Sequence, residues 1–258
     1  MLILLPPSEG KLCPARGKAL ALDQLKDPTL SEARERVLSD LMGFCRSEPE
    51  QARQVLGLSE KLAHWVRHNR DLAAAPTATA SRIYTGVLFG ELGLTELIGQ
   101  EARRANRRLI IFSALFGLIR PHDRIPCYRL SGNVTLPDVG SLTKFWRGPI
   151  SVALQRATGK QLIVDMRSAP YAAMWSPDSE SNESVVQVKI WQRAPSGLRT
   201  AVSHHNKATK GQLARHLATT RDDLSTATEL LDATLAHGWQ TELDDSTNPT
   251  RLDVYITG

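Results

Sequence analysis

The chain has 258 residues, of which 41% are hydrophobic and 23% charged, and a formal net charge of +5. Its length and apolar content allow a full core, which fits one large domain or two small ones. No run of about eighteen apolar residues is present, which excludes a membrane-spanning helix. The amino terminus lacks the basic start and cleavage site of a signal peptide, so we expect a cytoplasmic protein without a membrane partner.

The first half of the chain predicts one strand followed by helices. The apolar run at residues 2–5, ended by a Pro-Pro pair, is typical of a buried strand. Between residues 31 and 69 the apolar positions recur at helical spacing. Ser31 and Ser59 stand where capping residues are expected, so this region is predicted to be helical.

The second half predicts most of a sheet. The stretches interpreted as strands are residues 109–119, 161–166, 184–191, 199–203 and 251–257. A turn at 194–197 is expected to join two of them, and helices are predicted over 207–219 and 222–237. No repeat, low-complexity tract or linker divides the chain. We therefore predict a single domain over residues 1–258, of mixed α/β (α+β) class, with a central mixed sheet flanked by helices.

Cysteines and histidines give no sign of a metal or redox centre. Cys13, Cys45 and Cys127 are an odd number and far apart, so reduced structural thiols are expected. His64 and His68 have the i, i+4 spacing of a zinc site, but no glutamate follows the first and no third ligand is evident. The expected role of this pair is a half-exposed helix face. Phosphate-binding and dinucleotide-binding glycine loops are absent as well, and no metal or cofactor is predicted.

Charge is distributed unevenly, and polar residues gather after predicted strands. Residues 101–129 hold seven arginines against two acids. Those in residues 101–108 fit a solvated helix face, but the later ones lie among apolar and turn residues, and this uneven charge favours an anionic partner. The polar groups are Ser8, Glu9 and Lys11; Tyr84; Ser113, Arg120, Asp123, Tyr128 and Arg129; and Asp165, Arg167, Ser168 and Tyr171. Because sites are built where loops meet sheet ends, these groups predict one shared polar cleft. Arg120, Asp123 and Arg129 lie in an apolar segment, so their charges are expected to be paired with one another.

The stretch Ser-His-His-Asn-Lys-Ala-Thr-Lys-Gly at residues 203–211 holds no carboxylate. Asn206 is expected to cap a helix, whose first free N–H groups would bind phosphate beside Lys207 and Lys210. These two lysines share a helix face and are expected to face the same cleft as the Arg120 loop. The alternative is a capped surface helix with ordinary lysines. Of the adjacent His204 and His205, only one is expected to face the cleft.

Six motifs in this order resemble the peroxide stress protein YaaA family: MLILLPPSEGK, YTG, FSALFGLIRPHDRIPCYRL, LTKFW, DMRSAPY and SHHNKATKG. The resemblance covers nearly the whole chain. It implies a single mixed α/β domain with a positively charged cleft, binding of DNA that includes distorted duplexes, and a role in limiting oxidative damage to DNA. It implies no established catalytic mechanism. This chain departs from the family pattern with PPSEGK after the first strand and with His204 and His205 in place of aromatic residues.

Two functions are therefore considered. The first is sequence-non-specific DNA binding by a monomer through a basic cleft, with predicted phosphate ligands Lys11, Arg120, Arg129, Arg167, Lys207 and Lys210. The alternative is an enzyme acting on a nucleotide, nucleobase or related anionic small molecule, in which an arginine holds the anion. Its candidates for moving protons are Glu9, Tyr84, Asp165, His204 and His205. Structural polar roles are assigned to Ser8, Ser113, Asp123, Tyr128 and Ser168.

Overall fold

The computed structural model describes residues 1–159, 161–178, 182–193, 199–201 and 205–257. The strands within these residues are Leu2–Leu5 (β1), Thr77–Thr79 (β2), Leu109–Ser113 (β3), Gly117–Ile119 (β4), Arg124–Pro126 (β5), Thr135–Leu136 (β6), Gly140–Ser141 (β7), Ile163–Asp165 (β8), Val185–Arg193 (β9), Arg199–Ala201 (β10), Gln240–Asp244 (β11) and Thr250–Thr257 (β12). The α-helices are Ser31–Ser47 (α1), Pro49–Val55 (α2), His64–Arg70 (α3), Ala80–Ile83 (α4), Val87–Leu92 (α5), Gly99–Arg108 (α6), Leu142–Thr158 (α7), Ala169–Ala172 (α8), His205–Thr219 (α9) and Ala227–Ala236 (α10).

The main sheet has the strand order β11-β12-β9-β8-β1-β3-β4, with β10 also paired to β9. β1 is parallel to both β3 and β8, and β9 is parallel to β8 and β12. β4, β10 and β11 pair antiparallel with their neighbours. All four residues of β1 are buried, as expected of a central strand that is covered on both faces. The predicted mixed α/β class with a central mixed sheet is confirmed.

The apolar segment 109–119 is a hairpin and not the single strand that was predicted. β3 and β4 pair antiparallel, with Ser113 opposite Gly117. The Ser113 hydroxyl accepts the N–H groups of Leu115 (3.2 Å) and Phe116 (3.0 Å) and so closes the turn. Gly117 has φ 69, and a Cβ there would lie 2.6 Å from the Trp146 ring. Periodicity could not reveal this turn, because both strands and the turn are buried.

Helix positions agree with the predictions better than helix caps do. The region 31–69 contains α1, α2 and most of α3, as predicted. Ser31 lies inside α1 after Leu30, and Ser59 makes no capping hydrogen bond, so the predicted caps are wrong. Asn206 is likewise inside α9, and α10 begins at Ala227 instead of residue 222. The predicted turn at 194–197 lies outside the described residues, although the antiparallel pairing of β9 and β10 is confirmed.

A buried arginine that the sequence did not reveal closes the edge of the sheet. Arg34 on α1 is fully buried. Its guanidinium donates to the carbonyl oxygens of Phe116 (3.0 Å) and Leu118 (2.8 Å), and to those of Lys26 (2.7 Å) and Asp27 (3.1 Å). β4 is the last strand in the sheet order among the described strands. Arg34 therefore satisfies edge carbonyls that a neighbouring strand would otherwise bond.

The predicted ion pairing among Arg120, Asp123 and Arg129 is wrong. The buried Asp123 carboxylate accepts the backbone N–H groups of Arg120 (2.7 Å) and Lys26 (2.9 Å). The Arg120 guanidinium donates instead to two carbonyl oxygens, one of them that of Leu109 (3.1 Å) at the start of β3. Asp123 is thus a turn-forming residue that binds backbone, a common use of aspartate in loops.

The expectation of reduced, separate cysteines is also wrong. Cys13 and Cys127 form a disulfide that joins positions 114 residues apart, with Cα atoms 5.1 Å apart. Cys45 remains a buried thiol. Distance along the chain was a poor guide because the fold brings the loop after β1 beside the segment after β5. Among the described helices, none has the length and apolar character needed to span a bilayer.

Candidate functional site

The candidate site lies where three parallel strands end. β1 lies between β3 and β8. The chain first adds β3 and β4 on one side of β1, and then adds β8 and the later strands on the other side. In open α/β sheets, ligands bind at such a reversal of strand order, outside the carboxyl ends of the strands. The residues at these ends are the loop 6–11 after β1, Ser113 of β3 and Asp165 of β8.

The loop after β1 is held against the Tyr-Thr-Gly segment by backbone hydrogen bonds. The N–H of Leu12 donates to the carbonyl oxygen of Ile83 (2.8 Å), and the N–H of Thr85 donates to the carbonyl oxygen of Gly10 (3.1 Å). The N–H of Gly86 donates to the Ser8 hydroxyl (2.8 Å), and a Cβ at Gly86 would collide with that oxygen. Only glycine therefore allows this close approach. The result is a preformed loop that carries Glu9 and Lys11.

Buried hydroxyl groups form the floor of the site. The Tyr128 hydroxyl bonds those of Tyr84 and Ser113, each at 2.8 Å. Burial raises the pKa of both tyrosines, so the phenols stay neutral at physiological pH. The Tyr171 hydroxyl is also buried, and burial raises the pKa of this tyrosine too. The structural roles predicted for Ser113 and Tyr128 stay a prediction.

Lys11 lies directly over this floor. Its ammonium donates to the Ser8 carbonyl (2.7 Å) and lies 4.4 Å from the centroid of the Tyr128 ring and 5.5 Å from that of Tyr84. Burial lowers the pKa of Lys11 to about 7, with Arg129 acting in the same direction and Glu9 opposing it. Lys11 therefore exchanges a proton near neutral pH.

Arg129 and Glu9 form the rim. Arg129 Nη2 lies 3.1 Å from Glu9 Oε2, and Arg129 also donates to the Glu9 carbonyl (3.2 Å). Asn69 of α3 holds Arg129 from the other side, since its amide bonds the Arg129 carbonyl (2.7 Å) and N–H (2.9 Å). Sequence reasoning missed Asn69. Glu9 is thereby committed to Arg129, and among the described residues no carboxylate forms a hydrogen bond or ion pair with Lys11.

Next to this group, at the end of β8, Asp165 and Arg167 neutralise each other. The buried guanidinium of Arg167 donates to both carboxylate oxygens of Asp165, at 2.9 and 2.7 Å, and to the Tyr171 carbonyl (3.0 Å). Lys210 of α9 donates to the carbonyl of Met166, which lies between these two residues (3.1 Å). Burial lowers the pKa of Lys210 to about 8, although the negative charge of Asp165 acts in the opposite direction and raises it.

Only some of the predicted site residues therefore lie together at the carboxyl ends of the strands. The structure brings together Ser8, Glu9, Lys11, Tyr84, Ser113, Tyr128 and Arg129, with Asp165, Arg167 and Lys210 at the adjacent strand end. Arg120 bonds the amino end of β3, so it lies at the opposite edge of the sheet, and the predicted cleft shared with Lys210 is wrong. Ser168 and Lys207 are exposed. His204 and the side chain of His205 lie outside the described residues.

Lys11 should make the stability of the protein rise with pH between about 7 and 10.5. Over that window the unfolded chain holds the Lys11 proton and the folded protein does not, so a rise in pH favours folding. One such proton is worth about 1.4 kcal/mol per pH unit. In urea denaturation at several pH values, Lys11→Met should show a shallower rise than wild type. Lys61→Met, at an exposed lysine, is the control; equal slopes for all three proteins would contradict the lowered pKa.

The fold and this site define a mixed α/β protein with polar side chains gathered at the carboxyl edge of its sheet. The model of the family described as peroxide stress protein YaaA matches residues 1–243. A UPF0246 protein of Streptomyces coelicolor is 43% identical, over 99% of this chain and 98% of its own length. A UPF0246 protein of Corynebacterium efficiens is 38% identical, over 97% and 98% respectively. The chain belongs to the peroxide stress protein YaaA family.

Proposed function

We propose that this protein binds DNA without sequence preference in the peroxide stress response, and that a backbone phosphate enters the site over Lys11. The observation that supports this most is the Lys11 ammonium, which is half-buried and bonded only to a carbonyl among the described residues. A cation in such a place is stabilised when an anion binds it. Phosphate contacts of this kind carry affinity and no sequence information.

Further cations near the strand ends would extend the contact along a DNA backbone. Lys210 is bonded to a carbonyl at the end of β8, and Lys189 and Lys207 are exposed. Arg129 contributes less, because Glu9 neutralises it. The predicted basic cleft is therefore proposed around Lys11 and Lys210, and not around Arg120.

DNA binding is tested by fluorescence anisotropy with labelled duplex and bubble DNA at increasing salt. We expect log affinity to fall linearly with log salt, and Lys11→Met to flatten the slope by roughly 0.9, the value of one phosphate contact. Replacing Lys207 and Lys210 together by Ala should flatten it by roughly twice as much. Lys61→Met should leave the slope unchanged. The proposal fails if wild-type protein does not bind at low salt or binds independently of salt.

One observation also favours an enzyme that acts on a nucleotide, nucleobase or related anionic small molecule. Lys11 has a pKa near 7 above hydrogen-bonded tyrosines, an arrangement suited to proton transfer. A cavity of about 450 Å³ lined by Asp165, Arg167 and Trp175 lies at the neighbouring strand end. Such a volume is within the range of small-molecule sites. In this function Lys11 would exchange the proton, because Asp165 is already committed to Arg167.

The two functions are separated by calorimetric titration with nucleoside monophosphates, free nucleobases and inorganic phosphate. Stoichiometric binding of a mononucleotide that is lost in Lys11→Met would favour the enzyme. DNA binding without measurable mononucleotide binding would favour the first function. Binding of inorganic phosphate alone fits both, since each requires an anion at Lys11.

A further inference from the structure

Three potential metal ligands meet beside the loop that carries Lys11. The ligand atoms of Cys13, Cys127 and His68 all lie within 4.8 Å of one another. The two sulfurs are joined as a disulfide in this structure. Cys13 and His68 are exposed whereas Cys127 is buried, so the group is open to solvent on one side. None of these residues takes part in the proposed anion site.

We propose that Cys13, Cys127 and His68 form a redox-gated site for a thiophilic divalent cation such as Zn²⁺, and that the disulfide is its oxidised, metal-free form. Two thiolates and one imidazole are a donor set that Zn²⁺ favours, and three protein ligands leave one tetrahedral position for water. At Zn–S distances of about 2.3 Å the two sulfurs would lie about 3.8 Å apart. The Cα atoms of the two cysteines lie 5.1 Å apart, so we expect side-chain rotation to allow this separation once the disulfide is reduced.

The backbone around the three ligands is held by bonds that do not depend on the disulfide. Asn69 follows His68 and bonds both backbone groups of Arg129, two residues after Cys127. Leu12, next to Cys13, donates to the Ile83 carbonyl (2.8 Å). The His68 ring also packs on that of Trp65, with centroids 5.2 Å apart. Reduction should therefore leave the ligands close together, which is what a metal site requires.

Oxidation by a hydroperoxide would convert the metal site into the observed disulfide. The exposed Cys13 thiolate attacks the peroxide, the O–O bond breaks, and a sulfenic acid and an alkoxide or hydroxide form. The Cys127 thiolate then attacks the Cys13 sulfur, the S–O bond breaks, and hydroxide leaves. Two protons from solvent neutralise the two leaving groups. The thiolates lose two electrons, the hydroperoxide gains two, and Zn²⁺ is released because a disulfide is a poor ligand.

Cys45 is an internal comparison. It is buried, and burial raises its pKa to about 11. Because the thiolate is the reactive form, Cys45 should stay reduced under conditions that oxidise Cys13 and Cys127. Oxidation confined to one pair of the three cysteines would show that the reaction belongs to this site.

The experiment uses the full chain, reduced with a phosphine, freed of reductant without oxygen, and titrated with Zn²⁺ against a chromophoric chelator. One ion should bind per chain. Hydrogen peroxide should release it while peptide mapping finds Cys13 linked to Cys127 and Cys45 unmodified. His68→Asn and Cys13→Ser should each weaken Zn²⁺ binding by roughly a hundredfold or more, since even outer partners of zinc ligands are worth roughly ten- to a hundredfold.

His64→Asn is the matched control, because His64 is exposed on the same helix and outside the ligand group. It should bind Zn²⁺ as wild type does. Circular dichroism checks that each variant is folded; the two altered ligands are exposed, so folding should be kept. The proposal is overturned if the reduced protein binds no Zn²⁺ at micromolar concentrations. It is also overturned if both ligand variants bind normally, or if peroxide leaves the ion bound. No readout involves DNA, so the result is independent of the proposed function.

Discussion

Replacing Arg34 with methionine is expected to lower the free energy of unfolding by about 3 kcal/mol. The guanidinium bonds four carbonyl oxygens, and the two in the β4 hairpin belong to the edge of the sheet. Each buried carbonyl left without a donor costs about 1 kcal/mol or more. The loss should be smaller than the sum over all four carbonyl oxygens, because Arg34→Met also removes the cost of burying a charge. Burial disfavours the charged form, and it lowers the pKa of Arg34 to about 10.

Urea denaturation followed by circular dichroism measures the effect of Arg34→Met. Arg46→Met is the control, since Arg46 is exposed on the same helix and should change stability by less than about 0.5 kcal/mol. Arg34→Lys should fall between wild type and Arg34→Met, because a lysine carries the charge but donates from a single nitrogen. Equal midpoints for wild type and Arg34→Met would mean that water satisfies the edge carbonyls as well as Arg34 does.

Arg167→Met should destabilise the protein by about 3 kcal/mol, the cost of leaving a buried charge without its partner. Arg167 and Asp165 are both buried, and two of the hydrogen bonds to the Asp165 carboxylate come from the Arg167 guanidinium. The remaining described bond to that carboxylate comes from the Arg167 backbone N–H, at 2.9 Å. If Arg167 instead bound a phosphate ligand, Arg167→Met would weaken ligand binding and change the stability of the protein little.

A double-mutant cycle separates pairing from packing at this ion pair. Asp165→Asn alone leaves the Arg167 guanidinium with one described carbonyl acceptor and no carboxylate among the described residues. The variant that combines Asp165→Asn with Arg167→Met should lose less stability than the sum of the single changes, because neither charge is then buried alone. Additive losses would show that the two charges do not stabilise each other. Thermal melts of the four proteins are sufficient to decide.

The sequence alone predicted the elements whose signal is local. The apolar runs of β1, β8 and β12 and the helical spacing of α1 and α9 are read from neighbouring residues, because burial imposes a period on each element. The polar residues after strands were also visible, and parallel strands bring their carboxyl ends to one edge. Lys11 and Ser113 follow or end the neighbouring parallel strands β1 and β3, so they could be expected to lie near each other. Tyr84 follows helix α4, so only the tertiary structure placed it beside them.

Only the tertiary structure decided which charges are free and which are paired. Arg34 donates hydrogen bonds to carbonyl oxygens 82 and 84 residues away in the sequence, and Cys13 forms a disulfide with Cys127, 114 residues away. Arg167 was expected to bind phosphate and is committed to Asp165, while Arg120 lies at the far edge of the sheet. A sequence shows that a residue is charged, but its partner is chosen by the packing of distant segments. Burial then determines the free-energy cost of keeping that residue charged, because the surrounding protein groups replace the water that would solvate it.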